Sequence, residues 1–157
     1  MNCCLQVFPE RARDVSRMRD LKYKIVYYPG DVAASGIAEV LEREYGVTAV
    51  SIPEDAPFYD FKDIDADVIL VLSRHSSSRK IKSFTVHFTG NFTNDANLGG
   101  SPRTLSYSNP TLACSLLRSL TAVASKMKPE YQVSYEATHH GPTIDKAITF
   151  IEIGSSE

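Results

Sequence analysis

Cysteine, net charge and long apolar runs are all in short supply in this chain, and each shortage removes a class of protein. Three cysteines, Cys3, Cys4 and Cys114, leave an odd count with no C-x-x-C pair, which argues against a disulfide framework and for the cytoplasm. Adjacent Cys3 and Cys4 read as part of an N-terminal tail rather than as metal ligands. A formal net charge of −2 gives no global electrostatic case for nucleic acid, although a local basic patch stays open. No apolar run approaches the roughly 18–20 residues that span a bilayer. The N-terminus "MNCCLQVFPERARD" lacks the apolar stretch of a signal peptide. Walker A, dinucleotide-glycine, G-x-S-x-G, H-E-x-x-H and zinc-finger spacings are all missing, and there is no internal repeat.

What is present is the composition of one soluble domain with a core of its own, 157 residues with 43% hydrophobic and 23% charged. Residues 1–22 alternate charge around few apolar positions and read as an N-terminal extension, disordered or, given the second methionine Met18, not translated. "YKIVYY" (23–28) is a strand ending at Pro29-Gly30. Asp31 caps a helix with Ile37, Val40, Leu41 and Tyr45 at helical spacing, stopped by Gly46. "VTAVSI" (47–52) completes a β-α-β unit. An acidic linker leads to "VILVL" (68–72), apolar throughout and so suited to a central strand. "SFTVHF" (83–88) is a further strand. A long polar loop spans 89–109, and loops of that length are often functional. Asn109 and Pro110 open the helix 109–127, with Leu112, Leu116, Leu120, Val123 and Met127 along one face. The strands "YQVSYEA" and "ITFIEI" (148–153) close the pattern. The fold class is α/β, a mixed, largely parallel sheet flanked by helices, with polar loops at the strand ends where such sheets place ligands.

Histidine supplies the chemistry. It transfers protons near neutral pH and is the commonest metal ligand. Of four histidines, His139 and His140 stand side by side at a strand end before Gly141-Pro142. Successive strand residues face opposite ways, so the pair cannot be ordinary core on one face. His75 also follows a strand end. His87, within a strand, reads first as a hydrogen-bonded structural residue. Glu136 and Glu152 can orient an imidazole or bind metal, though a structural role is the plainer reading for each. "HSSSRK" (75–80) and "NLGGSPRT" (97–104) combine hydroxyls, glycine-freed amides and cations, a mixture that suits oxyanions as well as plain flexible loops.

Four blocks in order carry a resemblance: "LSRHSSSRKIKSFTVHFTGN" (72–91), "NLGG" (97–100), "THHGPT" (138–143) and "FIEIGSSE" (150–157). They resemble the signature blocks of the D-aminoacyl-tRNA deacylases of the archaeal and plant type, over roughly residues 23–157. The resemblance implies hydrolysis of the ester joining a D-amino acid to the terminal ribose of tRNA. It also implies Zn2+ dependence and a fold similar to peptidyl-tRNA hydrolases and nucleoside phosphorylases. It identifies residues 23–157 as a deacylase-like domain truncated at its C-terminus, since family members continue beyond the "EIGSS" block. Carried onto this sequence, it makes His139, His140 and Thr143 catalytic. His87, His139, His140 and Glu152 become zinc ligands. Arg74, His75, Ser76, Arg79, Lys80, Gly90, Asn91, Gly99, Gly100 and Gly141 become substrate-binding. Lys82 and Arg103 join Arg74, Arg79 and Lys80 as candidates for tRNA phosphates. The amides of Gly99, Gly100 and Gly141 are expected to meet an oxyanion or the terminal adenosine. Two rivals stand beside this reading: a nucleoside phosphorylase-like enzyme, which would require phosphate, and a catalytically inactive tRNA-binding or regulatory fragment.

Overall fold

In the computed structural model, residues 21–78, 80–127 and 131–154 are described. The expected extension (all but its last two residues), Cys3, Cys4, Arg79 and the terminal "SSE" lie outside them. Eight elements follow one another: β1 (Tyr23–Tyr27), α1 (Val32–Tyr45), β2 (Val50–Ser51), β3 (Val68–Arg74), β4 (Ser83–His87), α2 (Pro110–Ala124), β5 (Gln132–Tyr135) and β6 (Ala147–Gly154). The strands form one sheet in the order β2-β1-β3-β6-β4-β5. All neighbouring strands are parallel except β4 and β6, so the sheet is mixed and largely parallel, as the sequence pattern predicts.

Local chemistry accounts for the element ends. Asp31 Oδ1 accepts the amides of Ala33 and Ala34 at 2.9 and 3.1 Å, satisfying donors at the start of α1. Gly46 ends the helix in the left-handed region at φ 63°, and its N–H reaches Glu42 O at 3.0 Å. Strand β3 runs two residues past "VILVL" because β6 continues beside it, pairing Ser73 with Glu152 and Arg74 with Ile153. Strand β2 is shorter than 47–52, since only Val50 and Ser51 find partners at the end of β1.

Packing differs from the sequence pattern in two places. The expected stripe of α1 is only partly right: Ala34 and Ala38 are buried against Leu72, while Val40 and Tyr45 stay exposed. On α2 the buried residues are Ala113 and Ala124, and Val123 faces solvent. Small residues thus hold the most buried positions of each helix, and the larger apolar side chains are half-buried or exposed.

The second difference matters more for function. The acidic segment 53–66 is no linker. Its Ala56, Tyr59, Phe61 and Ile64 cover the sheet face formed by Val26, Ile69, Val71, Ile148 and Phe150. Tyr59 hydrogen-bonds Asp63, and Lys146 Nζ donates to Phe61 O at 2.9 Å and to Ile64 O at 2.5 Å. This cover holds a loop at the edge of the histidine-bearing region.

Candidate active site

The antiparallel pairing of β4 and β6 builds the floor of the site. His87 lies directly opposite Phe150, and Thr85 opposite Glu152. Directly opposed residues share a face, so an imidazole and a carboxylate are placed on the same buried surface. His87 is fully buried and stacks on the Phe150 ring at 5.2 Å between centroids. The loop after β5 folds back over this floor, setting the rings of His139 and His140 at 4.4 and 4.9 Å from that of His87.

All three imidazoles are oriented in the same manner. Their Nδ1 atoms face backbone carbonyls, which only accept, so each Nδ1 carries the proton: His87 to Phe88 O at 3.0 Å, His139 to Ala137 O at 2.8 Å and His140 to Gly141 O at 2.5 Å. Each neutral ring therefore keeps a lone pair on Nε2. Backbone-fixed imidazoles of this kind are the usual support of metal-ligating histidines. Ligand atoms of the three lie within 4.8 Å of one another. Buried His87 Nε2 has no aligned hydrogen bond within the described residues. The donor set fits a zinc ion, which favours imidazole nitrogen.

Glu152 joins this group to a second one. Its Oε1 is 3.4 Å from His87 Nε2, an electrostatic contact without hydrogen-bond alignment. Its Oε2 accepts from His75 Nδ1 at 3.1 Å and from the Thr85 hydroxyl at 3.0 Å. Glu136 adds a carboxylate 3.7 Å from His75 Nδ1. Ligand atoms of His75, Glu136 and Glu152 also lie within 4.8 Å of one another.

Electrostatics follow from these contacts. Burial alone would raise Glu152, but the facing His87 and the hydrogen bonds from His75 and Thr85 hold it below the usual carboxylate range. Burial lowers His87, but the facing Glu152, together with the Phe88 carbonyl and the Glu136 charge, outweighs this and leaves the imidazole above its ordinary value. His140 goes the other way. Burial, aided by the neighbouring His87 and His139, pushes it down to about 4, so it is a neutral ring at physiological pH.

Above the floor opens a cleft of about 340 Å³ at the carboxyl ends of β1, β3 and β6. Arg74, His75, Ser76, His139, His140 and Glu152, all expected from the sequence, line it. Tyr28, Gly30, Asp31, Asp55, Pro57, Ser73 and Leu98 line it too. Of these Asp31 was legible only as a helix cap, and its Oδ2 also accepts from Arg74 N at 2.7 Å, pinning the end of β3. Asp55 lay hidden in the acidic segment, where nothing in the sequence separates it from its neighbours.

The remaining expected residues stand behind the cleft. Asn91 Nδ2 donates to Gly99 O and Ser101 O, and Thr143 Oγ1 accepts from Ser101 N at 2.8 Å. The amides of Gly90, Gly99 and Gly141 donate to His140 O, Ala96 O and Leu98 O. The expectation that Gly99 and Gly141 amides meet an oxyanion is therefore corrected: both donors are already occupied. Glycine is required there because backbones touch. A Cβ on Gly141 would lie 2.1 Å from Pro57 O, and one on Gly99 at 2.0 Å from the same atom. Gly90, Asn91, Gly99, Gly100, Gly141 and Thr143 thus clamp loops 55–58, 97–100 and 139–143 together. Lys80 borders a different groove, between α1 and the end of β6.

An α/β domain with an imidazole- and carboxylate-lined cleft at its strand ends defines the class: a scaffold equipped for metal-assisted or general-base hydrolysis. The comparisons narrow the class. The family model described as D-aminoacyl-tRNA deacylase matches residues 62–157, and the chain belongs to that family. It is 56% identical over 135 residues to the D-aminoacyl-tRNA deacylase of Ignicoccus hospitalis, covering 86% of this chain and 54% of that protein. The deacylase of Staphylothermus marinus is 42% identical over 159 residues, covering 85% and 58%. A crystal structure of a conserved protein of unknown function superposes with a TM-score of 0.76 at 31% identity, covering 88% of this chain and 56% of that one. The chain spans about half the length of the curated relatives it matches. No helix within the described residues is long and apolar enough to cross a membrane.

Proposed function

We propose that the protein hydrolyses the ester of D-aminoacyl-tRNA, releasing the free D-amino acid and tRNA, with its site in the cleft over His87, His139, His140 and Glu152. The observation that carries this reading is the gathering of three imidazoles, with ligand atoms within 4.8 Å of one another, beside a buried, hydrogen-bonded carboxylate. His87, His139 and His140 would hold the zinc ion, with Glu152 beside them. When bound, zinc supplies Lewis-acid polarisation of an oxygen ligand and lowers the pKa of bound water.

The chain's own residues do the rest. An aminoacyl ester is already activated, so the needs are a positioned water, a base and a place for developing negative charge. His75 is the base that the geometry favours. Its Nδ1–H is held by Glu152, which fixes the tautomer and leaves Nε2 to accept a proton. Glu152 then stabilises the imidazolium without taking the proton. Arg74, an exposed cation at the cleft, suits the terminal phosphate of the tRNA. Tyr28, Ser73 and Ser76 bring hydroxyls to the same walls.

The test is release of free D-tyrosine and intact tRNA from D-tyrosyl-tRNA by the full-length protein. His75→Gln is expected to lower kcat by about a hundredfold or more, in line with loss of a general base. No loss in that variant removes His75 from the role.

A further inference from the structure

The cleft presents three carboxylates, and their partners set them apart. Asp31 is occupied by the amides of Ala33, Ala34 and Arg74. Glu152 is occupied by His75 and Thr85 and faces His87. Asp55 lines the same cleft, and its carboxylate has no hydrogen bond or ion pair within the described residues. Its backbone explains its place in the chain: Asp55 O accepts from Phe58 N at 3.0 Å, closing the turn that leads to the buried Tyr59. That turn makes no use of the side chain, so local structure does not account for the acid.

Asp55 is also held in position. Pro57, two residues on, is packed against the backbones of Gly99 and Gly141 so closely that neither tolerates a Cβ. Ala56 is buried in the core beneath. The Asp55 backbone is thus fixed to the same clamp that carries His140, and the distance from carboxylate to imidazoles is set by packed backbone rather than by a free loop. A fixed, solvated, unpartnered carboxylate on the wall of a hydrolytic cleft is a receptor for a cation.

We infer that Asp55 is the residue that receives the α-ammonium group of the aminoacyl ester. This rests on the functional reading above and goes beyond it, because it assigns a specificity-determining contact. The ester at the imidazoles and the ammonium at Asp55 fix two substituents of the α-carbon. The cleft then selects esters with a free amine and rejects N-acylated ones, whose amide carries no charge and leaves Asp55 unpaired. The discrimination comes from one charge-assisted contact that the free amine makes and the amide does not.

The experiment compares kcat/KM of the full-length protein on D-tyrosyl-tRNA and N-acetyl-D-tyrosyl-tRNA, for wild type, Asp55→Asn and Asp55→Glu. Asp55→Asn is expected to lose about ten- to a hundredfold on the free-amine ester and about twofold or less on the acetylated one, since one charge-assisted contact is removed. Asp55→Glu, which keeps the charge, should recover part of the loss. Unchanged melting temperatures would accompany this, as Asp55 is exposed. An Asp55→Asn variant that loses the same factor on both esters, or nothing on either, overturns the assignment of Asp55 while leaving the deacylase reading intact. A wild type that hydrolyses neither ester overturns that reading and the inference with it.

Discussion

Glu152 stands between two imidazoles, its Oε1 3.4 Å from His87 Nε2 and its Oε2 3.1 Å from His75 Nδ1. One buried carboxylate thereby orients the candidate base and faces the candidate metal ligand His87. Replacing it with glutamine keeps the shape and removes the charge. Glu152→Gln is expected to lower the His87 pKa, because the attraction that offsets burial is gone. It should also destabilise the metal-free fold by about 3 kcal/mol, the usual scale for breaking a buried ion pair. Histidine NMR titration and denaturant unfolding check the two effects.

Burial separates two of the three clustered histidines. His87 is fully buried, whereas His139 is exposed at the mouth of the cleft. Both His139→Ala and His87→Ala should weaken zinc binding, measured by competition with a chelating dye. Only His87→Ala should also lower stability of the metal-free chain, by about 1–3 kcal/mol for a lost buried side chain and its bond to Phe88. Equal melting temperatures for the two variants would count against the packing described.

His140 makes the metal-free fold sensitive to acid. Its pKa falls from an ordinary 6.5 to about 4 on folding, so the unfolded chain binds the proton more readily between those values. Stability from this group is fully present above pH 6.5 and is lost as pH falls toward 4. Lowered Glu152 acts in the same direction and raised His87 opposes it. Between pH 7 and 5 the His140 contribution is about 2 kcal/mol. Urea unfolding at both pH values should show His140→Gln losing less than wild type over that interval.

The clamp of three loops rests on glycines with no room for a side chain. Gly141→Ala brings a Cβ within 2.1 Å of Pro57 O and 2.4 Å of Gly100 N. Overpacking against backbone costs about 1–3 kcal/mol or more. A lowered melting temperature together with reduced activity is expected, since His140 is the next residue. Asn91→Ala, which removes bonds to Gly99 O and Ser101 O, should give the same pair of effects in milder form.

Much of this was legible in the sequence, for identifiable reasons. Asp31 and Gly46 bracket a helix because capping is local chemistry, read from adjacent residues. "VILVL" announces a buried strand because both its faces are covered. The His139-His140 pair stood out because strand alternation cannot bury both. What the sequence concealed depends on long-range pairing. Glu152 meets His87 only because β6 lies between β3 and β4 and runs antiparallel to β4. Asp55 is one acid among several in a segment whose core role appears only when Tyr59 and Phe61 are seen against the sheet. In sequence, the glycines of "NLGG" and "HHGP" read as amides for an oxyanion or the terminal adenosine. The same residue type also serves where three backbones meet, and sequence does not distinguish the two uses.

The central claim, that the imidazole–carboxylate cleft hydrolyses a D-aminoacyl ester with zinc at His87, His139 and His140, is tested most directly by one assay. Deacylation of D-tyrosyl-tRNA and L-tyrosyl-tRNA by the full-length protein is measured as purified, after exhaustive chelation, and after return of zinc. The account predicts turnover of the D-ester in preference to the L-ester, its loss on chelation and its recovery with zinc. Full D-ester turnover in protein holding less than about a tenth of an equivalent of metal would contradict the account, because tightly bound catalytic metal must be present in the active fraction.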